Sequence, residues 1–199
     1  MKEFWNQRYD IDEYVYGKDP SHFFGERLWD QKFGRILLPG EGEGRNAVYA
    51  AKKGWFVHAF DQSNIAAAKA IQFSRKEKVR FEYQIADARN FETAEDYYHL
   101  IAIAFLHLPP VERKQFHQKM IKSLRPGGKI IAEYFSKNQL ELDTGGPKNI
   151  DMLYDESELR EDFGFLNILE LEEKLVYHEG GKAHDGEAWV LQLVGEKSE

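Results

Sequence analysis

Short apolar segments alternate along the chain with segments of helical composition. The predicted strands are "RILL", "WFVHAFD", "VRFEYQIAD", "YHLIAIAF" and "KIIAEYFS". The continuous apolar run in "YHLIAIAF" is typical of a central strand that is covered on both faces. The alternation predicts an α/β fold, in which helices on both faces doubly wind a Rossmann-like, mostly parallel sheet.

The predicted helices between these strands carry recognisable end signals. "GRNAVYAAKKG" ends at Gly54, and "SNIAAAKAIQFSRKEK" begins at Ser63, whose side chain can cap a helix. "PPVERKQFHQKMIKSLRPGG" begins with proline and ends in glycine. Two further helices are predicted outside this region, in "SHFFGERLWD" and "DESELREDFGF".

The last part of the chain has a different pattern. Apolar and polar residues alternate in "NILELEEKLVYHEGG" and "EAWVLQLVGEK", on either side of the turn-rich "GGKAHDG". We therefore expect a seven-stranded sheet with an antiparallel C-terminal edge strand. The length of 199 residues supports a single domain over residues 1–199.

Three glycines, Gly40, Gly42 and Gly44, lie between the first predicted strand and the helix that follows it. Glycine permits a positive φ and lets the backbone approach a ligand closely. The N-terminus of the next helix favours an anion or a polar ligand head. Asp61 ends the second strand, where its carboxylate can accept hydrogen bonds from both hydroxyls of a ribose. The sequence therefore predicts a nucleoside site.

Two cofactor classes fit such a site. Residues 42–47 match a dinucleotide fingerprint, so a NAD-dependent oxidoreductase is a competing interpretation. However, Glu41 and Glu43 place acids in the loop, where they would repel a pyrophosphate. Asp87 follows the third strand and can accept from an adenine amino group, while the Ala88 amide can donate to a ring nitrogen. These features favour S-adenosylmethionine, which has no phosphate.

Composition removes several classes of function. The net charge of -7 and the pI of about 5.6 disfavour binding to nucleic acid. The absence of cysteine excludes disulfides, thiolate metal ligands and cysteine nucleophiles, and we predict no metal site. The sequence contains no apolar run that could span a membrane and no signal-peptide core, so we expect a cytoplasmic protein without a membrane partner. Composition does not set the oligomeric state.

The motifs resemble a known family. They are "FWNQRY", "YVYGKDPSHFF", "EGEGRNAVYAAKKG", "VHAFDQS", "IADARNF", "FLHLPP", "LRPGGKIIAEYF", "GGPKNIDMLYDESELREDF" and "YHEGGKAHDGEAWVLQLV". In this order the chain resembles class I S-adenosylmethionine-dependent methyltransferases, and among them the small bacterial group related to tellurite-resistance and thiopurine methyltransferases. One position departs from the pattern. Many class I enzymes have an acid where this chain has Leu38, and here the acid is Glu41, whose role stays open.

The resemblance implies a cofactor site and a cover for it. Residues 1–30 would fold over the cofactor, with Trp5 in this segment, Arg8 near the carboxylate, and Tyr14 or Tyr16 closing the lid. The glycine loop and the backbone at the end of the fourth strand would lie beside the methionine part, and the remaining residues would hold the ribose and adenine. The implied cofactor-binding residues are Arg8, Gly40, Glu41, Gly42, Gly44, Asp61, Gln62, Asp87, Ala88, Ala104 and Phe105.

Methyl transfer requires a nucleophile in line with the methyl group. A soft sulfur, selenium or tellurium anion needs no general base, whereas oxygen or nitrogen acceptors do. The catalytic candidates are His107 and Tyr16; the other groups considered are Glu133, Tyr134, His178 and His184. Residues 136–160 are predicted to shape the acceptor pocket. The sequence thus favours a methyltransferase for a small-molecule acceptor; the alternatives are a NAD-dependent oxidoreductase and a non-catalytic, methyltransferase-like binding domain.

Overall fold

A seven-stranded sheet forms the centre of the computed structural model, which describes residues 1–29, 33–181 and 184–199. Asp30, at the end of a predicted helix, and residues 182–183, in the predicted C-terminal turn, lie outside the described residues. The strands are β1 (Arg35–Pro39), β2 (Phe56–Asp61), β3 (Glu82–Ile85), β4 (Tyr98–Ala104), β5 (Leu124–Phe135), β6 (Asn167–Gly181) and β7 (His184–Glu196).

Helices flank the sheet, and those after the N-terminal helix follow the order that the sequence predicts. They are α1 (Lys2–Tyr9), α2 (His22–Trp29), α3 (Arg45–Lys52), α4 (Asn64–Lys76), α5 (Pro110–Ser123) and α6 (Glu156–Asp162). The short α1 was not predicted as a helix, because its apolar residues do not form a regular face. No helix among the described residues is both long and apolar enough to cross a membrane.

The strand order is β3-β2-β1-β4-β5-β7-β6. Strands β1 to β5 pair in parallel, whereas β7 runs antiparallel to both of its neighbours. The predicted α/β fold with an antiparallel C-terminal unit is confirmed; β7 lies one strand in from the edge, and β6 is outermost. Strand β1 lies between β2 and β4. Because the three strands are parallel, their carboxyl ends meet at one edge of the sheet, where ligands bind in such folds.

One helix boundary differs from the prediction. The helix α5 ends at Ser123, and the "LRPGG" segment, expected to close it, begins β5 instead. Proline cannot continue a helix, because it lacks the amide hydrogen and its ring clashes with the preceding turn. Gly127 has a φ of +70°, and the pairing of β5 with β4 is irregular there, between Tyr98 and Leu100.

Two apolar layers cover the two faces of the sheet. Side chains alternate along β1, so that Leu37 points to one layer and Ile36 and Leu38 to the other. The first layer contains α5 and α6, through residues such as Phe116, Met120 and Leu159. The second contains α2 and α3, through residues such as Phe23, Phe24 and Ala47. The doubly wound arrangement therefore follows from alternate burial of strand residues.

Helix α3 packs closely against α4 at Gly44. This glycine has a φ of +90°, and a Cβ placed on it would lie 2.9 Å from the Cβ of Ala70. Gly54, at the other end of α3, has a similar φ of +92° but open space around it. Alanine substitutions at Gly44 and Gly54 therefore separate two contributions to the free energy of unfolding: the strain of a left-handed backbone and the steric overlap of the added Cβ.

We expect Gly44→Ala to lower the free energy of unfolding by about 2–5 kcal/mol, because it adds both backbone strain and overlap with α4. Gly54→Ala adds only the strain, about 1–2 kcal/mol. Urea denaturation followed by tryptophan fluorescence measures both. Adding Ala70→Gly to Gly44→Ala should recover part of the loss, and equal losses at the two glycines would contradict the α3–α4 contact.

Candidate functional site

A cavity of about 350 Å³ opens at the carboxyl edge of the sheet. Its wall combines the N-terminal segment, the glycine loop, the residues after β2, β3 and β4, and part of the loop before α6. Most of the predicted cofactor residues line it: Arg8, Gly40, Glu41, Asp61, Gln62, Asp87, Ala88, Ala104 and Phe105. The predicted catalytic candidates His107 and Tyr16 line it as well.

Two of the predicted cofactor glycines, Gly42 and Gly44, do not line the cavity and lie against other segments of the chain. A Cβ on Gly42 would lie 2.7 Å from the hydroxyl oxygen of Tyr9, so this glycine gives room to the N-terminal segment. Gly44 gives room to Ala70, as described above. Gly40 is the glycine that belongs to the cavity wall, and its φ of +63° is a left-handed conformation that favours glycine.

Asp61 holds the glycine loop in place. Its Oδ2 accepts a hydrogen bond from the Gly42 amide at 3.1 Å, and its Oδ1 accepts from the Ser63 amide at 2.8 Å. Burial raises the pKa of Asp61 to about 6, while these amide hydrogen bonds oppose the rise. A carboxylate oxygen can accept more than one hydrogen bond, so Asp61 keeps capacity for a ligand.

Glu41 caps the helix that follows the loop. Its Oε1 accepts from the Ala47 amide at 2.7 Å, in the first turn of α3. Burial raises the pKa of Glu41 to about 8, although the amide hydrogen bond opposes this. The carboxyl group thus occupies the helix N-terminus, where a dinucleotide pyrophosphate would otherwise bind.

Glu43 also lines the cavity, but its carboxylate is engaged by the N-terminal segment and α4. Its Oε2 accepts from the Val15 amide at 2.7 Å, and its Oε1 forms an ion pair with Lys69 on α4. Lys69 Nζ also donates to the carbonyl oxygens of Ile11 at 2.9 Å and Glu13 at 2.6 Å. Sequence reasoning missed Lys69, since nothing in its local pattern distinguishes it from a surface lysine on a helix.

The N-terminal segment forms part of the cavity wall, through residues such as Trp5, Tyr9 and Tyr16. Trp5 stacks on Tyr9 with ring centroids 5.7 Å apart, and Asn6 accepts a hydrogen bond of 2.8 Å from the Ser63 hydroxyl. Tyr16 closes the segment against the C-terminal hairpin, since a Cβ on Gly181 would lie 2.9 Å from the Tyr16 Cα. Tyr14, the alternative lid residue, lies against α4, where its hydroxyl donates to the Lys69 carbonyl oxygen at 3.2 Å.

Two side chains that were predicted to contact the cofactor, Arg8 and Asp87, form hydrogen bonds within the chain. Arg8 donates from Nε to the Tyr16 hydroxyl at 2.9 Å. Asp87 accepts from Arg89 at 2.9 Å on Oδ1 and 2.5 Å on Oδ2, and this pairing lowers the pKa of Asp87. Asp87 is therefore an ionised acceptor at the cavity wall, as an adenine contact requires, but a ligand would share it with Arg89.

Phe105 follows β4 and has an uncommon backbone conformation. Its φ is +57°, which costs about 1–3 kcal/mol for a residue other than glycine. Its amide donates to the Glu133 carbonyl oxygen at 2.8 Å, and its ring lies 4.7 Å from that of Phe135. Such strain concentrates at ligand sites, and here it turns the backbone after β4 into the cavity wall.

His107 is buried, with both ring nitrogens occupied by backbone groups. Its Nδ1 lies 2.7 Å from the Met152 carbonyl oxygen and so carries the hydrogen, and its Nε2 accepts from the Phe135 amide at 3.2 Å. Burial lowers the pKa of His107 to about 4. The expectation that His107 acts as a general base is not supported, because no nitrogen lone pair remains for a proton from the acceptor.

The other base candidates also have structural partners or are disfavoured by burial. Glu133 is buried and accepts from Gln192 Nε2 at 2.7 Å, and the Tyr134 hydroxyl lies 2.9 Å from Nε2 of His117. Burial raises the pKa of Tyr16 and lowers that of His178 to about 4. The side chain of His184 lies outside the described part of the chain.

Residues 36–128 match a family model described as a methyltransferase domain. This span runs from β1 into the first part of β5 and includes the glycine loop, Asp61 and Asp87. No curated protein matches the chain significantly in sequence.

Solved structures share the whole fold. TehB from Haemophilus influenzae aligns with a TM-score of 0.75 at 17% identity, over 99% of this chain and 67% of that chain. The N-methyltransferase NodS from Bradyrhizobium japonicum, solved with S-adenosyl-L-homocysteine, gives 0.74 at 15% identity, over 100% and 98%. A structure concerning conversion of a disulfide bond into a thioacetal group during echinomycin biosynthesis gives 0.79 at 16% identity, over 100% and 92%. The chain therefore has the Rossmann-like fold found in methyltransferases.

The raised pKa of Glu41 predicts a pH dependence of stability. In the unfolded chain the Glu41 carboxyl ionises near pH 4, whereas in the folded protein its pKa is about 8, so folding opposes its ionisation. The contribution of protonated Glu41 to the free energy of unfolding is therefore complete below about pH 4. It is lost as the pH rises through about 8. Glu41→Gln keeps an oxygen for the Ala47 amide but cannot ionise.

We expect wild-type protein to lose about 2–3 kcal/mol more stability than Glu41→Gln between pH 5 and pH 8, a value reduced because Glu41 keeps partial access to the cavity. Urea denaturation at the two pH values measures this difference. Parallel pH profiles for the two proteins would show that Glu41 ionises in the folded state at its ordinary pKa.

Proposed function

We propose that the protein is an S-adenosylmethionine-dependent methyltransferase that acts on a small-molecule acceptor by in-line methyl transfer. The observation that carries this proposal is the position of Asp61 and the glycine loop around one cavity, at the carboxyl edge of a sheet with the methyltransferase strand order. The match of residues 36–128 to a methyltransferase domain supports the same conclusion.

The cavity suits this cofactor in size and in charge. Its volume of about 350 Å³ falls in the range of small-molecule pockets. S-adenosylmethionine carries a sulfonium, an ammonium and a carboxylate, and the wall offers both acids and arginines. When bound, it would supply a methyl group that its positive sulfur already activates. Glu41 at the start of α3 argues against NAD, since its carboxyl group stands where a pyrophosphate would bind.

The residues that line the cavity have separate tasks in this proposal. Asp61 accepts from the ribose hydroxyls, as its place after β2 favours. Gln62, Asp87 and Ala88 line the adenine. The backbone at Gly40 and at residues 104–105 lies beside the methionine part. The segment around Trp5 and Tyr9 excludes water from the reacting atoms, which the transfer of a methyl group requires.

In this proposal the acceptor reacts without help from a general base. Both ring nitrogens of His107 are engaged by backbone groups, and the hydrogen bonds of the cavity acids within the chain stabilise the loop and the N-terminal segment. An acceptor that is already an anion, such as a thiolate, needs no proton removed. The apolar wall at Phe105, Phe135 and Met152 suits such a soft nucleophile. The resemblance to tellurite-resistance and thiopurine methyltransferases makes thiols, selenite and tellurite the first acceptors to test.

Residues 136–160 contribute to this proposed acceptor side. Gly146, Pro147 and Met152 belong to the cavity wall, on the part of it near Phe135. Gly146 has a φ of +83°, and a Cβ on it would lie 3.0 Å from the Phe135 ring. The loop therefore approaches the sheet closely enough to select acceptors by size.

Isothermal titration of the wild-type protein with S-adenosylhomocysteine, S-adenosylmethionine and NAD tests the proposed cofactor. We expect binding of the first two and none of NAD. Transfer of tritium from labelled S-adenosylmethionine to the thiol, selenite and tellurite panel then tests catalysis. Binding of NAD alone would overturn the proposal, and binding of S-adenosylhomocysteine without transfer to any acceptor would favour a non-catalytic binding domain.

Asp61→Asn is expected to weaken S-adenosylhomocysteine binding about 10- to 100-fold, because it removes charge from the proposed hydrogen bonds to ribose. Asp96→Asn is a matched control, since Asp96 is exposed and pairs with Lys197 at 2.8 Å. Titration calorimetry gives both Kd values. An Asp61→Asn protein that bound S-adenosylhomocysteine as tightly as wild type would exclude the ribose role.

A further inference from the structure

Arg45 connects the glycine loop, the N-terminal segment and the cavity. It is the first residue of α3 and lines the cavity. Its Nη1 donates to the Tyr16 carbonyl oxygen at 3.0 Å. Among the described residues no carboxylate lies within 4.0 Å of the guanidinium, so Arg45 has no ion-pair partner in that part of the chain. A guanidinium carries several N–H donors, and Tyr16 accepts from one of them.

The groups around Arg45 leave its charge largely uncompensated. The acids that act on it are Glu41 and Glu133, and burial raises the pKa of both, that of Glu41 to about 8. With a pKa of about 8, Glu41 is mostly neutral at pH 7, and burial shifts the pKa of Glu133 in the same direction, whereas a guanidinium stays protonated. Of the other groups that face it, Tyr9 and Tyr16 are neutral phenols with raised pKa values, and His178 is held neutral by burial.

Arg8 is the other arginine in the cavity wall, and the sequence pointed to it as the carboxylate partner. The structure gives it a different environment, because Arg8 is exposed and donates to the Tyr16 hydroxyl. Water and salt screen an exposed charge much more than a partly buried one. Of the two arginines, Arg45 is the stronger attractor for an anion inside the cavity.

We propose that Arg45 is the anion-binding residue of the cavity and pairs with a carboxylate of a bound ligand. This inference rests on the proposed methyltransferase function. The carboxylate belongs either to the methionine part of the cofactor or to an anionic acceptor, and the chemistry at Arg45 is the same for both.

Four proteins separate the two sources: wild type, Arg45→Gln, Arg45→Lys and Arg8→Gln, the last of which removes the competing arginine of the cavity wall. The first arm titrates each protein with S-adenosylhomocysteine and with its decarboxylated analogue, S-adenosyl-3-thiopropylamine. The second arm saturates each protein with S-adenosylhomocysteine and titrates benzoate and the uncharged benzamide. Thermal unfolding of each variant checks that the loss of the Tyr16 contact leaves the fold intact.

If the cofactor supplies the carboxylate, Arg45→Gln weakens S-adenosylhomocysteine binding about 10- to 100-fold and changes binding of the decarboxylated analogue little. Arg45→Lys, which keeps the charge without the planar fork, gives an intermediate loss and preserves the test if Arg45→Gln unfolds. If the acceptor supplies the carboxylate, Arg45→Gln binds S-adenosylhomocysteine as wild type does. The same variant then loses binding of benzoate but keeps any binding of benzamide.

Two results would overturn the inference. One is that Arg8→Gln, and not Arg45→Gln, produces the carboxylate-dependent loss. The other is that Arg45→Gln changes neither S-adenosylhomocysteine affinity nor any benzoate binding. A wild-type protein that fails to bind S-adenosylhomocysteine would instead contradict the proposed function, so the two failures are distinguishable.

Discussion

One ammonium group holds the N-terminal residues over the cavity. Lys69 Nζ donates to the carbonyl oxygens of Ile11 and Glu13 and pairs with the buried Glu43. Glu43 is buried, and a buried carboxylate needs such a partner because an unpaired buried charge is costly. Glu43 belongs to the glycine loop and Lys69 to α4, so one ion pair fixes the loop, the helix and the cover together. The contact of Tyr9 with Gly42, and with it the wall of the cavity, depends on this arrangement.

The cavity also brings carboxyl groups out of water and holds them through backbone amides. Asp61 and Glu41 each accept from amides of the glycine loop or of α3, and burial nevertheless raises the pKa of both. The positions of the two carboxyl groups are thus fixed before a ligand binds, whereas their ionisation states are not. A cationic ligand would favour the ionised forms, so its binding would be linked to the release of protons. Titratable groups perturbed in this way are common at functional sites, although structural networks perturb them as well.

The sequence was informative where a residue type satisfies a local backbone requirement. Ser63 caps α4, Gly40 adopts a left-handed conformation, and Asp61 ends β2 as its pattern predicted. The sequence was uninformative where a side chain finds its partner far along the chain. The Met152 carbonyl oxygen and the Phe135 amide contact His107, and they come from segments whose proximity cannot be read from periodicity. These contacts occupy both ring nitrogens of the histidine that we considered as a base. Local patterns report secondary structure and sheet edges, whereas hydrogen-bond partners depend on tertiary packing.

The contact between Gly181 and Tyr16 has a consequence for the order in which the protein is made. The glycine loop, Asp61 and Asp87 all precede β4 in the chain. The N-terminal segment is synthesised before them, but its residue Tyr16 contacts Gly181 at the end of β6, which is synthesised long after them. A nascent chain can therefore form the glycine loop and the strands beneath the cavity before β6 exists to receive Tyr16.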